Sequence, residues 1–528
     1  MKTTPATTQK TRTNTNDDEI RLAAVIEIGS TSVRMAVAEL GQRGSIRRID
    51  NLQQTIPLGK DTFTTGVISR NTMEDCVRAI RQFKTLLQEH GLNQLDVLAV
   101  ATSAVREAQN VETFLDRLYI ATGLHIKVLD QAEVNRLVYL AVRPELVDNT
   151  RFKRSDTLVI EVGGGSTEIL MFRQGKVGNA HLYRTGSMRL RQAFDDFEGS
   201  SRRQIDVLRS EVDQAVKNIV SGVLPCKSLQ MLALGGEARF ACARIDPSWK
   251  EDKPGTISVK RLETLTNKVL ASSADELVQK YEMTYPDAET VGPALLVYLH
   301  LAQTLKLDTI LASRATLRDG LLRDLQTRGT WSREFRRQIL NSTIQVAKKY
   351  DVDIKASKLV ARYCDMLFTA LEQEHGLDDR YALILEVAAM LHQTGHFISG
   401  SSHHKHSMYL IMNSDIFGLG SNEITLTALV ARYHRRSLPR PTHDEFADLP
   451  QEERVIVAKL AAILRLATAL AHGTSTRVAE MSASVDEDQL ILHSTSGGDL
   501  AFLEHRLSER DEMFEQTYGM DVVLRQEK

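Results

Sequence analysis

Apolar and polar positions divide the chain into two stretches of different period. Up to about residue 330, short runs of Val, Ile, Leu and Ala are broken by Gly, Ser and Thr, the pattern of buried strands joined by tight turns. VIEIGSTSVRMAV (25–37) and VIEVGGGSTEILM (159–171) are two versions of one such unit. In each, an apolar run ending in Glu and Gly enters a loop of small polar residues, and a second apolar run leaves it. The spacing between the copies suits two α/β halves. DVLAVATSAVREAQN (96–110) and MLALGGEARFACAR (231–244) each place a small-residue exit after an apolar strand; the second exit leads into a helical pattern. Beyond Trp331 the glycines thin out and helical spacing takes over. Leu383, Val387, Met390 and Leu391 form one stripe, and VIVAKLAAILRLATALAHG (455–473) reads as a long apolar helix ended by Gly473. After residue 478, QLILHS and DVVLRQ read as strands flanking a helical LAFLEHRLSERDEMFEQTYG. The expected division is a disordered tail over 1–20, α/β lobes over 21–150 and 151–330, a helical domain over 331–477 and a small α/β piece over 478–528.

Composition changes this picture little. The 528 residues are too many for one core, and 42% hydrophobic with 25% charged is an ordinary globular balance. With 66 basic and 68 acidic side chains the net charge is -2, which excludes a generic nucleic-acid coat; no specific nucleic acid is expected. Cys76, Cys226, Cys242 and Cys364 show no C-x-x-C spacing and read as reduced thiols. The Thr- and Asn-rich N-terminus has no apolar core, and no later run is long enough to span a bilayer, so the expectation is a cytoplasmic protein without membrane contact.

The candidate chemistry lies in the two glycine loops. Glycine admits positive φ and lets amides approach an anion, yet neither loop carries a P-loop lysine. Glu27, Glu161 and Glu168 beside a phosphate would be repulsive without a hard divalent cation such as Mg²⁺ between them. One such loop alone favours a turn with exposed acids; two matched loops favour binding. Arg106, just beyond Thr102-Ser103, is a candidate phosphate contact. Gly235-Gly236, at a helix start, offers free amides.

Together with RLVYLAV (136–142), YRTGSMRL (183–190), LGGEAR (234–239) and ASRATLRDGLL (312–322), these motifs resemble the exopolyphosphatase and guanosine pentaphosphate phosphohydrolase family. The resemblance runs from about Leu22 to the C-terminus. It implies two actin-like (ribonuclease H-like) α/β lobes around an interlobe cleft, then an all-α HD-like domain and a small C-terminal α/β piece. It also implies release of the terminal phosphate from polyphosphate or guanosine pentaphosphate with Mg²⁺. By position, Gly29, Ser30, Thr31, Ser32 and Gly163, Gly164, Gly165, Ser166, Thr167 would be the phosphate loops, and Arg106 would contact phosphate. Glu161 and Glu168 would hold metal or orient water.

The chain departs from the family at instructive places. Asp is usual where Glu27 and Glu161 stand, and the family's Glu-Glu before Ala-Arg-Leu becomes Glu133-Val134-Asn135-Arg136. Val134 thus takes the place of the catalytic base, and Glu133 is the nearest substitute. Two readings follow: a phosphoanhydride hydrolase, or a sensor that binds polyphosphate or an alarmone. A kinase of the same superfamily lacks an adenosine-pocket signature. Of the HD positions only His392 is kept, with Lys355, Gln393 and Thr468 at the others. The spacing of His392 and His396 admits a metal site or a structural histidine network, and Lys355 favours the network. HHKHS (403–407) and ARYHRRSLPRP (431–441) are either solvated loops or a track for a polyanion. The helical domain is large enough to supply a homodimer interface.

Overall fold

The computed structural model describes residues 20–41, 45–92, 96–148, 152, 154–195, 201–223, 228–250, 253–327, 332–435, 437–473, 481–494, 500–508 and 511–526. The expected N-terminal tail and Cys226 lie outside them, apart from Ile20.

Five strands build the first lobe: β1 (Arg21–Ile28), β2 (Ser32–Leu40), β3 (Ile46–Thr55), β4 (Val97–Ala101) and β5 (Ile126–Val128), in the order β3-β2-β1-β4-β5. Six build the second: β6 (Asp156–Val162), β7 (Thr167–Arg173), β8 (Lys176–Tyr183), β9 (Leu229–Leu234), β10 (Gly255–Ser258) and β11 (Thr309–Ala312), in the order β10-β11-β9-β6-β7-β8. Apart from the edge strand β10, the two sheets have one topology. An antiparallel meander (β1-β2-β3, β6-β7-β8) is followed by two strands parallel to its first member. The repeated motif is therefore a repeated lobe of the actin-like type.

Period-two alternation decides what each strand face covers. Ala24, Ile26 and Ile28 pack with the helices Arg70–Glu89 and Val111–Thr122, whereas Ala23 and Val25 join Leu137, Val138 and Leu321 on the opposite face. In the second lobe Leu158, Ile160 and Val162 pack with the helices Ser201–Val223 and Tyr285–Thr304. Val159 and Phe172 belong to the large core shared with Phe335 and Phe417 of the helical region.

The helix Leu317–Gln326, which follows the last strand of the second lobe, returns to the first. Arg318 Nη1 donates to Glu27 Oε2 at 2.6 Å, Arg48 pairs with Asp319, and Gln326 Nε2 donates to Gly41 O at 2.9 Å. Gly320 permits this close packing: a Cβ there would lie 2.1 Å from Leu137 O, on the helix Gln131–Asp148.

The helical region contains Arg333–Lys349, Ile354–Ala370, Asp379–Leu391, His403–Met412, Ser421–Arg432 and Gln451–Gly473. HHKHS opens one of these helices and is not a loop. The terminal piece holds the two expected strands, β13 (Gln489–Ser494) and β14 (Asp521–Gln526). It adds β12 (Met481–Asp486), whose residues alternate between exposed and half-buried positions and gave no apolar run to read. The expected single helix is two, Leu500–Ser508 and Glu512–Tyr518. Cys76, Cys242 and Cys364 are buried free thiols, and no described helix is long and apolar enough to cross a membrane.

One side chain braces the floor of the cleft. Tyr298 Oη donates to Leu234 O at 2.6 Å and accepts from Val162 N–H at 3.1 Å, tying the ends of β9 and β6 where they part. Tyr298→Phe leaves a buried donor and a buried acceptor unpaired, at about 1–3 kcal/mol each. The variant is expected to melt several degrees below the parent in a thermal scan. An unchanged Tm would show that neither bond stabilises the fold.

Candidate functional site

The hairpin turns β1–β2 and β6–β7 close alike. Gly29 N–H donates to Ser32 O at 3.0 Å, and Gly163 N–H donates to Ser166 O at 2.8 Å. In each turn the next carbonyls are tied down from behind. Ser30 O accepts from Gly59 N–H (2.8 Å) and Thr31 O from Ile56 N–H (3.0 Å). Gly163 O accepts from Ser187 N–H (2.8 Å), Gly164 O from Met188 N–H (2.9 Å), and Gly165 O from Arg189 Nε (2.9 Å). A trans peptide points its N–H opposite to its C=O, so tying the carbonyls turns the following amides away from these anchors and frees them for an anion. The loops also touch: a Cβ on Gly164 would lie 2.7 Å from Ser30 Cβ. Glycine there is a condition of the approach.

Between the lobes lies a cleft of about 420 Å³. Gly29, Ser30, Thr31, Gly163, Gly164 and Ser166 line it, with Arg106, Glu161, Glu168, Gly235 and Gly236. Ser32, Gly165 and Thr167 stand behind the lining: Ser32 is buried, Gly165 is packed under Phe63, and Thr167 Oγ1 donates to Thr185 O at 2.7 Å. Arg106 is held by its Nη1 bond to Leu129 O at 2.8 Å. Gly235 has φ 101°, a left-handed value suited to glycine, at the start of the helix Gly236–Ile245.

Cross-strand register separates the two halves chemically. Glu27 faces Arg34 across β1–β2, and Glu161 faces Glu168 across β6–β7. Glu27 is buried and neutralised, 2.6 Å from Arg318 and 3.9 Å from Arg34. Burial opposes this pairing from the other side and lowers the Arg318 guanidinium below its usual range. Among the described residues Glu161 has no ion-pair partner, and the charge of Arg239 only partly opposes its environment. Burial, with repulsion from Glu168 and Glu27, pushes its carboxyl up to about 8. Burial also raises Glu168, against the Ser166 hydroxyl it accepts from and the charge of Arg106. Glu237, at the same end of the cleft, is raised by burial. Arg239 near Glu161 and Arg106 near Glu168 offset the charge of the pair only in part. Among the described residues no three acidic, histidine or cysteine side chains make a metal-ligand group. Two carboxylates nonetheless suit Mg²⁺, which takes one or two and fills its shell with phosphate oxygens and water.

Glu133, the expected substitute for the base, does not line this cleft. Its carboxylate pairs with Lys127 and accepts from Asp130 N–H at 3.1 Å, beside a separate hollow. Val134, 7% exposed, lines the cleft. Arg34, Arg239 and Arg318 line it too. They lay inside motifs read from the sequence, but Arg34 meets Glu27 through hairpin register and Arg318 meets it from the returning helix, which no local pattern encodes.

His392 and His396 do not share a helix face. His392 caps the helix Asp379–Leu391, and His396 sits in the following 3₁₀ turn, its ring stacked 3.9 Å from that of His403. His392 lies 4.9 Å from His434. HHKHS and the 431–441 stretch do come together. Burial, then the charges of Arg435, His403, Lys405 and Arg432, pushes His404 down to about 4.

Comparison with known proteins finds matching family models and similar solved structures. The model of the Ppx/GppA phosphatase family matches residues 37–328, and that of Ppx/GppA phosphatase domain III matches 339–511. The crystal structure of an exopolyphosphatase-like protein is 22% identical, with a TM-score of 0.52 over 58% of this chain and 98% of that one. The Aquifex aeolicus Ppx/GppA family member is 22% identical, with a TM-score of 0.49 over 60% of this chain and 100% of its own. An exopolyphosphatase from Cytophaga hutchinsonii is 19% identical, with a TM-score of 0.49 over 58% and 98%.

The Glu161 carboxyl makes a direct prediction. Its folded pKa lies above the unfolded value, so its contribution to stability is complete below about 4.5 and is lost as pH rises towards 8. Without divalent cations, Glu161→Gln is expected to raise Tm over the parent at pH 8, with the gap closing as pH falls to 5. Added Mg²⁺ is expected to stabilise the parent more than the variant. Parallel Tm curves for the two proteins would contradict both the pKa and the cation assignment.

Proposed function

Because the chain belongs to the Ppx/GppA phosphatase family, we propose that its cleft removes the terminal phosphate from inorganic polyphosphate or guanosine pentaphosphate. The observation that carries this reading is the pair of matched loops, each with its carbonyls tied back and its amides free, meeting in one cleft.

In this reading the amides of Thr31, Gly164 and Ser166 grip the terminal phosphate, and Arg106 neutralises part of its charge. Glu161 and Glu168 would hold Mg²⁺, which when bound offsets phosphate charge and orients the phosphoanhydride. In-line attack by water needs a carboxylate to orient it. Glu161 and Glu168 are the candidates; Glu133 is engaged elsewhere and takes no part. Lys405 and Arg435, whose charges both act on His404, would give the HD-like helical domain a basic surface for a long polyanion, while Arg432 is paired with Glu445. We place the activity in the cytoplasm.

A second reading rests on one observation. Val134 occupies the cleft where the family resemblance puts the base, and a valine cannot accept a proton. This favours a sensor that binds the same phosphates with little turnover.

Phosphate release from polyphosphate and from guanosine pentaphosphate, each with Mg²⁺, separates the readings. Release of inorganic phosphate supports the hydrolase; tight binding without release supports the sensor. Val134→Glu is expected to raise kcat by roughly a hundredfold, the usual contribution of a positioned general base. An unchanged kcat would remove Val134 from the account.

A further inference from the structure

Three successive carbonyls of the second glycine loop are held from the same side. The first two, on Gly163 and Gly164, accept backbone amides, Ser187 N–H and Met188 N–H, which any residue could supply. The third, on Gly165, accepts from a side chain, Arg189 Nε, at 2.9 Å. The same guanidinium reaches across the lobes. It lies 4.3 Å from the Phe63 ring and pairs through Nη2 with Glu107, the residue after Arg106. Phe63 in turn sits on Gly165: a Cβ there would be 2.4 Å from Phe63 Cζ and 2.9 Å from Ser103 Oγ. Arg184 pairs with the same Glu107 carboxylate from a more exposed position. Burial works to raise Glu107, but the bonds and charges of Arg184 and Arg189 outweigh it and keep the carboxylate ionised.

We infer that Arg189 is a positioning residue that sets the second phosphate loop and couples it to lobe closure through Glu107 and Phe63. Holding Gly165 C=O towards the helix Ser187–Asp195, which carries Arg189, turns the Ser166 N–H away from that helix. Ser166 lines the cleft and its hydroxyl bonds Glu168, so the Arg189 bond also bears on the carboxylate pair. Glu107 and Phe63 belong to the first lobe, Gly165 and Arg189 to the second. If the lobes separated, the guanidinium would lose Glu107 and the ring together, and the loop would lose the brace on its third carbonyl. Arginine suits the post because one planar group donates to a carbonyl, pairs with a carboxylate and stacks on a ring; the lysine ammonium cannot do all three.

This inference rests on the phosphate-binding reading of the cleft, and its test keeps the two apart. The full-length protein with Mg²⁺ and inorganic tripolyphosphate is read as KM if phosphate is released and as Kd by calorimetry if it is not. Arg189→Gln is expected to weaken binding about tenfold, the value of one strong hydrogen bond. Arg189→Lys should recover part of the loss, and Glu107→Gln should lose roughly threefold by freeing the guanidinium from the first lobe. The double variant should be no weaker than Arg189→Gln alone, since both changes break one linkage. Arg184→Ala removes a charge from the same carboxylate without touching the loop and should bind as the parent does. If Arg189→Gln fails to fold, Arg189→Lys and Glu107→Gln carry the test, with Tm close to the parent. Parental affinity in both, or strictly additive losses in the double variant, would overturn the inference. Absence of tripolyphosphate binding by the parent itself would overturn the phosphate reading and this inference with it.

Discussion

The structure depends on a constraint of the peptide bond. A glycine loop grips an anion only if its amides face the anion, and they do so only when its carbonyls are held elsewhere. In this chain both loops meet that condition with the same device, a following helix or turn that donates to the loop carbonyls. The duplicated lobe therefore duplicates the grip. It does not duplicate the charges. At the first loop the cross-strand partner of the glutamate is Arg34, and the returning helix adds Arg318; at the second the partner is Glu168. One carboxylate is neutralised within the protein, and the other pair is left wanting a cation. The asymmetry assigns roles to two loops that otherwise look alike: the first is self-sufficient, and the second suits a divalent ion brought with the phosphate.

Much of this was legible in sequence because it is local. A repeated apolar run, Glu-Gly and a small-residue turn encode a hairpin, and two copies encode two lobes. The adjacency of Glu161 and Glu168 follows from hairpin register, since both precede or follow the same tight turn. The second partner of Glu27 was not legible in the same way. Arg318 approaches from a helix that crosses back to the first lobe, a tertiary event with no signature in the spacing of residues. Tyr298 was hidden for a related reason: within an apolar helix it reads as core, and only the parting of β6 and β9 gives its hydroxyl two partners.

The histidine-rich stretch shows the reverse case, where a local pattern promised more than the backbone delivered. A four-residue spacing puts two side chains on one helix face only if the helix continues. Here it ends at Leu391, so His392 and His396 fall on different elements and meet different neighbours. Val134, expected at the base position, lines the cleft. What the fold adds is that Glu133, one residue away, points its carboxylate at Lys127 and Asp130 outside the cleft, as the helical rotation of about 100° per residue requires. In the proposed reading, phosphate binding and phosphate hydrolysis rest on different residues, and the first is the better provided for.

The central claim is that the two loops hold one phosphate chain between them. Crystals grown with tripolyphosphate and a divalent cation test it most directly. The account predicts density for a terminal phosphate within hydrogen-bond distance of the Thr31, Gly164 and Ser166 amides, with the cation against Glu161 and Glu168. A bound chain lying only on the basic surface around Lys405 and Arg435, with neither loop in contact, would contradict it.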